Sequence, residues 1–217
     1  MIILHHLVQS RSNRIAWLLE ALNLPYEIKV YQRDPKTYGA PESLKQIDPL
    51  GKSPVITDGE QVIAESGAII EYLIDTYDTE QQFKPKESKA LLNYRYWLHF
   101  AEGSMMPLLV MRLVLSKAVD KPMPFFIKPV IKKFVQALNQ HFIDPRIIPQ
   151  LKLIDQHLSD NKWFAGEELS GADFQMVLAL QLASARCDMS PYHHIKKYIE
   201  QVESVESYQK AMKKLAE

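Results

Sequence analysis

Ser10, Arg11, Ser12 and Asn13 stand directly before a helical pattern, in the stretch HHLVQSRSNRIAWLLEAL from His5 to Leu22. Polar residues there cap the helix, or they cap it and also hold a ligand. A helix N-terminus offers free N–H groups and partial positive charge, so a serine hydroxyl beside it suits an anion, including a thiolate. No cysteine lies in this region, and the single cysteine of the chain is Cys187. A dithiol cycle is therefore not available, and any thiol near Ser10 has to arrive with a ligand. Capping alone remains the plainer reading of these residues.

Two further stretches add polar groups of a complementary kind. In PLGKSPVI, Pro49–Ile56, Gly51 permits a tight turn and Pro54 opens a strand, where a cis bond is plausible. Ser53 keeps its N–H and C=O for an extended peptide, and Lys52 suits a carboxylate. In AESGAI, Ala64–Ile69, Glu65 offers an acceptor for an ammonium group, while Ser66 and nearby N–H groups suit a carboxylate. Those two fit the amino-acid end of a zwitterion. An ordinary loop lysine and a capping serine explain each stretch taken alone.

Other chemistries lack their ingredients. His5/His6 and His193/His194 are adjacent pairs, and no HExxH or Cys/His spacing exists, so no metal is expected. Seven glycines form neither a dinucleotide fingerprint nor a P-loop, and no G-x-S-x-G supports an esterase. His99 falls in a helical stripe as a packed or surface residue.

The elements that must position these residues divide the chain in two. Residues 1–78 mix strand and helix. MIILHH reads as a buried strand, and Ile15, Leu18, Leu19 and Leu22 repeat at helical spacing until NLP ends the run. YEIKVY alternates, with Tyr26, Ile28 and Val30 on one face. SPVIT and EQVIA flank Asp58-Gly59, a hairpin signal, and a helix over Ser66–Tyr77 buries Ile69, Ile70, Leu73 and Tyr77. Strand–helix–strand with a right-handed crossover, then hairpin–helix, predicts a four-stranded mixed sheet of thioredoxin-like plan. Residues 79–87 form a polar linker.

Residues 88–217 predict an all-helical second domain. Leu91, Tyr94, Leu98, Ala101 and Met105 form one stripe, which Pro107 kinks or ends. Ile147, Leu151, Ile154 and Leu158 follow Asp144-Pro145 as N-cap and N1. Phe174, Leu178, Leu182 and Ala185 form a third stripe behind Ser170 and Asp173, a capping pair.

Lys+Arg and Asp+Glu are 26 each, and the zero net charge argues against nucleic acid or an anionic membrane as partner. The first residues make a poor signal peptide, and the apolar run MMPLLVMRLVL is too short to span a bilayer. With one cysteine, a cytoplasmic location is expected.

Taken together, the serine before the first helix, PLGKSP, ESGAI and SGAD resemble the cytosolic glutathione transferases over nearly the whole chain. LHHLVQSRSNRIAWLLEALNLPYE and WLHFAEGSMMPLL look like the bacterial and fungal branch of that superfamily. The resemblance implies a thioredoxin-like domain followed by a helical bundle, with glutathione as co-substrate. Glu65 and Ser66 would hold the γ-glutamyl end, Ser53 before Pro54 the cysteinyl backbone, and Lys52 the glycine carboxylate. Ser10 would donate its hydroxyl to the sulfur, with Ser12, Arg11 and His6 as alternatives. No tyrosine ends the first strand, and cysteine-type relatives are disfavoured because no cysteine occupies this region.

A free thiol has a pKa of ~8.5, and lowering it by about two units needs ~2.7 kcal/mol. One hydrogen bond to a charged acceptor supplies ~1.5–3 kcal/mol and a helix N-terminus ~0.3–1 kcal/mol. Met105, Met106, Leu109 and Met111 lie where a tolerant electrophile pocket is expected, though core packing explains them equally. The resemblance also implies a homodimer through helix Ser88–Met106. There Trp97 needs cover off the stripe, and Glu102 would reach the partner's γ-glutamyl amine. Glutathione-dependent peroxide reduction and a non-catalytic binding module are the rival functions.

Overall fold

The computed structural model describes all residues, 1–217. The first unit consists of β1 (Ile2–Leu7), α1 (Asn13–Ala21), β2 (Tyr26–Tyr31), α2 (Glu42–Lys45), β3 (Val55–Asp58), β4 (Gln61–Ala64) and α3 (Ser66–Tyr77). The sheet order is β2-β1-β3-β4, with β1 and β2 parallel and both other pairs antiparallel. This is the expected mixed sheet. The short α2, which the polar run through Pro35–Pro49 concealed, places Leu44 against Leu7 and Tyr31 on one face of the sheet.

Local differences have local causes. In β2 the alternation fails at its end: Val30 is exposed and Tyr31 buried, because β2 is an edge strand and Tyr31 joins the small cluster under α2. Asp58 pairs with Gln61, so the hairpin loop is Gly59-Glu60, and Gly59 alone takes a left-handed φ of 58°. Asp58 is thereby freed from the turn, and its carboxylate accepts from Tyr72 and Tyr77. Tyr77 is only half-buried for that reason, and Ile74 takes the core position instead.

The second unit consists of α4 (Ser88–Phe100), α5 (Met106–Asp120), α6 (Lys128–Leu138), α7 (Asp144–Asp160), α8 (Gly171–Ser184), α9 (His193–Ser204) and α10 (Glu206–Ala216). A π-helical turn, Ala101–Met105, joins α4 to α5, and a second, Asn139–Ile143, joins α6 to α7. Pro107 therefore neither ends the helix nor starts a new one. It follows a widened turn, where a missing N–H and a ring facing the preceding carbonyls are tolerated. Pro145 repeats the device, so Asp144 is no N-cap: it lies inside a continuous run and pairs with Arg112. The stretch Ser88–Asp120 contains a window apolar enough to cross a membrane by length and composition. Here its inner face, including Tyr94, Leu98, Ala101, Met105 and Leu109, belongs to the core, and α4 packs on α8.

α8 is the central helix. It is buried nearly all round rather than along the expected stripe, with Leu178 and Leu182 half-buried and Ala185 exposed. Helices α1, α3, α4 and α9 surround it, as an all-round apolar sequence requires. Its N-terminus is held as expected: the buried Asp173 carboxylate accepts from Ser170 N–H at 2.9 Å and Ser170 Oγ at 2.9 Å. Phe164 N–H and Tyr198 Oη donate to its other oxygen, each at 3.0 Å. α10 returns to the first unit and packs on α1, where Trp17 lies edge-on between Phe174 and Tyr208. One apolar cluster of 43 residues consequently runs through both units.

Candidate functional site

Strand β1 ends at Leu7 and the chain turns through Gln9, whose φ of 57° is left-handed, before α1 begins. This turn carries Ser10 and Ser12 back beside the strand. Ser12 is fully buried and occupies the N-cap position without capping by its side chain. Its hydroxyl instead meets His6 Nδ1 at 2.6 Å and Ser10 Oγ at 2.8 Å. Ser10 Oγ lies 3.0 Å from Ser53 Oγ, and Ser53 donates to the His5 carbonyl at 3.1 Å. The serines are thus joined to one another rather than spent on the helix.

Ser53 reaches this position through the turn before β3. Gly51 has a φ of 58°, and a Cβ there would stand 2.9 Å from Lys45 Cγ and 3.1 Å from Ala40 Cβ. The Ser53–Pro54 bond is cis, as the sequence suggested. Glu65, at the start of α3, holds a φ of 69° and ψ of 122°, a conformation that costs a non-glycine residue roughly 1–3 kcal/mol. Ser66 follows, buried, and accepts from Arg14 at 3.3 Å and from Gln175 at 3.1 Å. Both acceptor sites of its hydroxyl are occupied, so its proton is free to donate.

A shallow cleft with a cavity volume of about 50 Å³ opens over these groups. Arg11, Lys52, Ser53, Pro54, Glu65, Ser66 and Glu102 line it, together with Asp48, Leu50 and Ala64. Ser10 is half-buried at the edge of the cleft, its hydroxyl beside that of the buried Ser53. Lys52 and Glu65 extend into solvent with their charges 3.9 Å apart. The lining therefore alternates cationic, anionic and hydroxyl groups, which suits a small molecule carrying both an ammonium and carboxylates rather than a uniformly charged or apolar one.

Glu102 lines the cleft of its own chain. It sits on the π-helical turn and pairs with Arg14 at 2.9 Å and Arg11 at 3.3 Å. Arg14 was concealed in the sequence as one more helix residue, although it falls four before Leu18 on the buried side. Its side chain has no exposure. Burial pulls the guanidinium down to about 10, while Glu102 pushes it back up, and it stays charged at neutral pH. Burial also lowers the His6 pKa below its ordinary value, which keeps that ring neutral.

Two expectations fail. Met105, Met106 and Leu109 are at most 2% exposed and belong to the core, so they line no electrophile pocket; Met111 is 41% exposed on the outer side of α5. Trp97 is covered within its own chain by His157 and Phe164, and supplies no reason for a partner. His99 is a surface residue, one of the two placements expected of it.

Comparison with known proteins agrees with this geometry. Residues 1–75 match the family model described as glutathione S-transferase, N-terminal domain, and residues 144–206 match the corresponding C-terminal domain. The chain is 39% identical to glutathione S-transferase 3 of Schizosaccharomyces pombe, over 92% of this chain and 81% of that one. It is 34% identical to glutathione S-transferase 1 of Saccharomyces cerevisiae, over 94% and 91%. A crystal structure of a glutathione S-transferase from Actinobacillus pleuropneumoniae superposes with a TM-score of 0.80 at 37% identity, covering 99% of this chain and 92% of that one. With both halves matched and relatives this similar along nearly the whole length, the chain belongs to the glutathione S-transferase family.

Proposed function

We propose that this glutathione transferase binds reduced glutathione in the cleft and uses Ser10 to stabilise its thiolate for attack on small, mostly hydrophobic electrophiles, in a detoxifying role. The observation that carries the reading is the Ser10 hydroxyl held 3.0 Å from Ser53, directly before the cis Pro54. Ser53 keeps its backbone groups for the cysteinyl residue, which brings the sulfur beside Ser10. The free proton of Ser66 and the carboxylates of Glu65 and Glu102 serve the γ-glutamyl carboxylate and amine, and Lys52 serves the glycine carboxylate. The hydroxyl bond with the α1 N-terminus supplies the ~2.7 kcal/mol that a two-unit fall in thiol pKa requires.

The thiolate then attacks the electrophile: a C–S bond forms and the leaving group departs with its electron pair. The proton released on ionisation goes to solvent. A homodimer in the cytoplasm completes the reading, supported by Leu92 and Tyr96, large apolar residues exposed along α4. Ser10→Ala is expected to raise the pH at which bound glutathione ionises by about one to two units and to lower turnover, with affinity by calorimetry nearly unchanged. An unaltered ionisation profile would remove Ser10 from the mechanism.

A further inference from the structure

The hydroxyls beside the cleft form one continuous row, and counting their protons fixes the direction of every bond in it. A serine hydroxyl has one proton to donate and two lone pairs to accept with. Ser53 Oγ meets the His5 carbonyl at 3.1 Å, an acceptor only, so the Ser53 proton is committed there. The 3.0 Å contact between Ser10 and Ser53 then requires Ser10 to donate. With its own proton so used, Ser10 must accept from Ser12 across 2.8 Å. Ser12 in turn has no proton left for His6, so the 2.6 Å contact requires His6 Nδ1–H to donate. The backbone N–H groups of Leu7 and Ser12 fill the remaining acceptor sites on Ser53 and Ser10, each at 3.3 Å. Every hydroxyl is then satisfied.

We infer that His6 is a positioning residue for thiolate formation: as the Nδ1–H tautomer it donates to Ser12, which donates to Ser10 and so directs the Ser10 proton towards Ser53, a residue of the cleft lining. The proposal rests on the reading of Ser10 given above and deepens it. When a thiolate occupies the cleft beside Ser53, the Ser10 proton turns from Ser53 Oγ to the sulfur, and nothing upstream has to reorient. The donors are preorganised for the charge that develops, which is where such bonds contribute most. Burial enforces the order. Ser12 is 0% exposed and His6 6%, so water does not readily substitute for either partner. A neutral ring suffices, and burial favours that state.

The direction is testable on the unaltered full chain. Nitrogen-labelled histidine and imidazole couplings at neutral pH, with His6 assigned by its absence in His6→Asn, should place the ring proton on Nδ1. A proton on Nε2 would overturn the proposal whatever Ser10 does. Function is tested by cutting the row. Ser12→Ala and His6→Gln, which removes the donor at the Nδ1 position, should each lower kcat about three- to tenfold, the worth of one neutral hydrogen bond. The ionisation midpoint of bound glutathione should rise in both, with KM for glutathione little changed. His6→Asn, whose amide nitrogen falls near Nδ1, should restore most of the rate and the midpoint, a recovery that mere space-filling would not give. Wild-type profiles in Ser12→Ala and His6→Gln, against a shifted profile in Ser10→Ala, would overturn the row alone. An unshifted Ser10→Ala would overturn the assignment of Ser10 and this proposal with it.

Discussion

At the scale of single residues, the pair Arg14 and Glu102 ties the lining of the cleft to the folding of the chain. Arg14 is buried with only one of its guanidinium nitrogens bonded, and Glu102 is its sole carboxylate partner. Removing one member of a buried pair leaves an uncompensated charge, and Glu102 is a third exposed, which lets water moderate the loss. Glu102→Gln is therefore expected to cost about 2–3 kcal/mol in denaturant titrations and also to weaken glutathione binding. The double variant Arg14→Met with Glu102→Gln should recover stability, since no charge is stranded, but not affinity. Recovery of both would assign the pair a purely architectural role. This is also where the sequence was least legible. Ser10, Lys52, Ser53, Glu65 and Ser66 stood in short motifs at loop ends, whereas Arg14 looked like any charged helix residue. Its significance depends on Glu102, 88 residues away, and no local pattern encodes that meeting.

At the scale of elements, what could be read was periodicity, and what could not was the environment on the other side. The helix over Ser66–Tyr77 and the Ser170–Asp173 pair were legible because caps and spacing are local. The all-round burial of α8 and the loss of Met105, Met106 and Leu109 to the core were not, because they depend on which helices surround α8. Gly171 illustrates the crowding. A Cβ on it would meet Tyr94 at 2.7 Å and Ile74 at 2.8 Å, so Gly171→Ala is expected to destabilise by about 1–3 kcal/mol through overpacking. A midpoint in urea equal to wild type would show that α4 and α3 yield freely there. Asp173→Ala should cost more, at least about 3 kcal/mol, because four donors lose their acceptor together.

At the scale of the molecule, the shared core and the return of α10 to α1 predict one cooperative unfolding transition, with the fluorescence of Trp17 alone (Trp97 and Trp163 replaced by Phe) and the helical signal changing together. Non-coincident curves would mean that the two units unfold separately. Protons act on the same whole. Burial lowers His5, His6 and His157 below their ordinary 6.5. The unfolded chain then takes up protons first, so stability is level above that value and falls as the pH drops below it, by up to about 1.4 kcal/mol per unit for each ring. Asp173 acts in the opposite sense. Burial raises it to about 6 from 3.8, so between those values the folded state holds the extra proton and gains from acid. Thermal melts from about pH 7.5 to about pH 5.5 should show a net fall, and a flat profile would contradict the histidine burial. For assembly, light scattering across a dilution series should give twice 25.1 kDa, and Leu92→Glu should shift it towards the single-chain mass.

The π-helical turn at Ala101–Met105 has a consequence for how this chain can change by descent. Such a turn holds one residue more than an α-helical turn of the same span. It keeps Glu102 facing Arg14 while Met105 and Leu109 face α8. Loss of a single codon inside the turn would restore an ordinary turn and leave the two halves of the helix nearly in their present phase. Loss of one in the regular turns on either side would instead rotate one half by roughly 100° against the other, and either the carboxylate would leave the cleft or the leucine would leave the core. The widened turn is therefore the one place where this helix can shorten by a residue without turning its core face away.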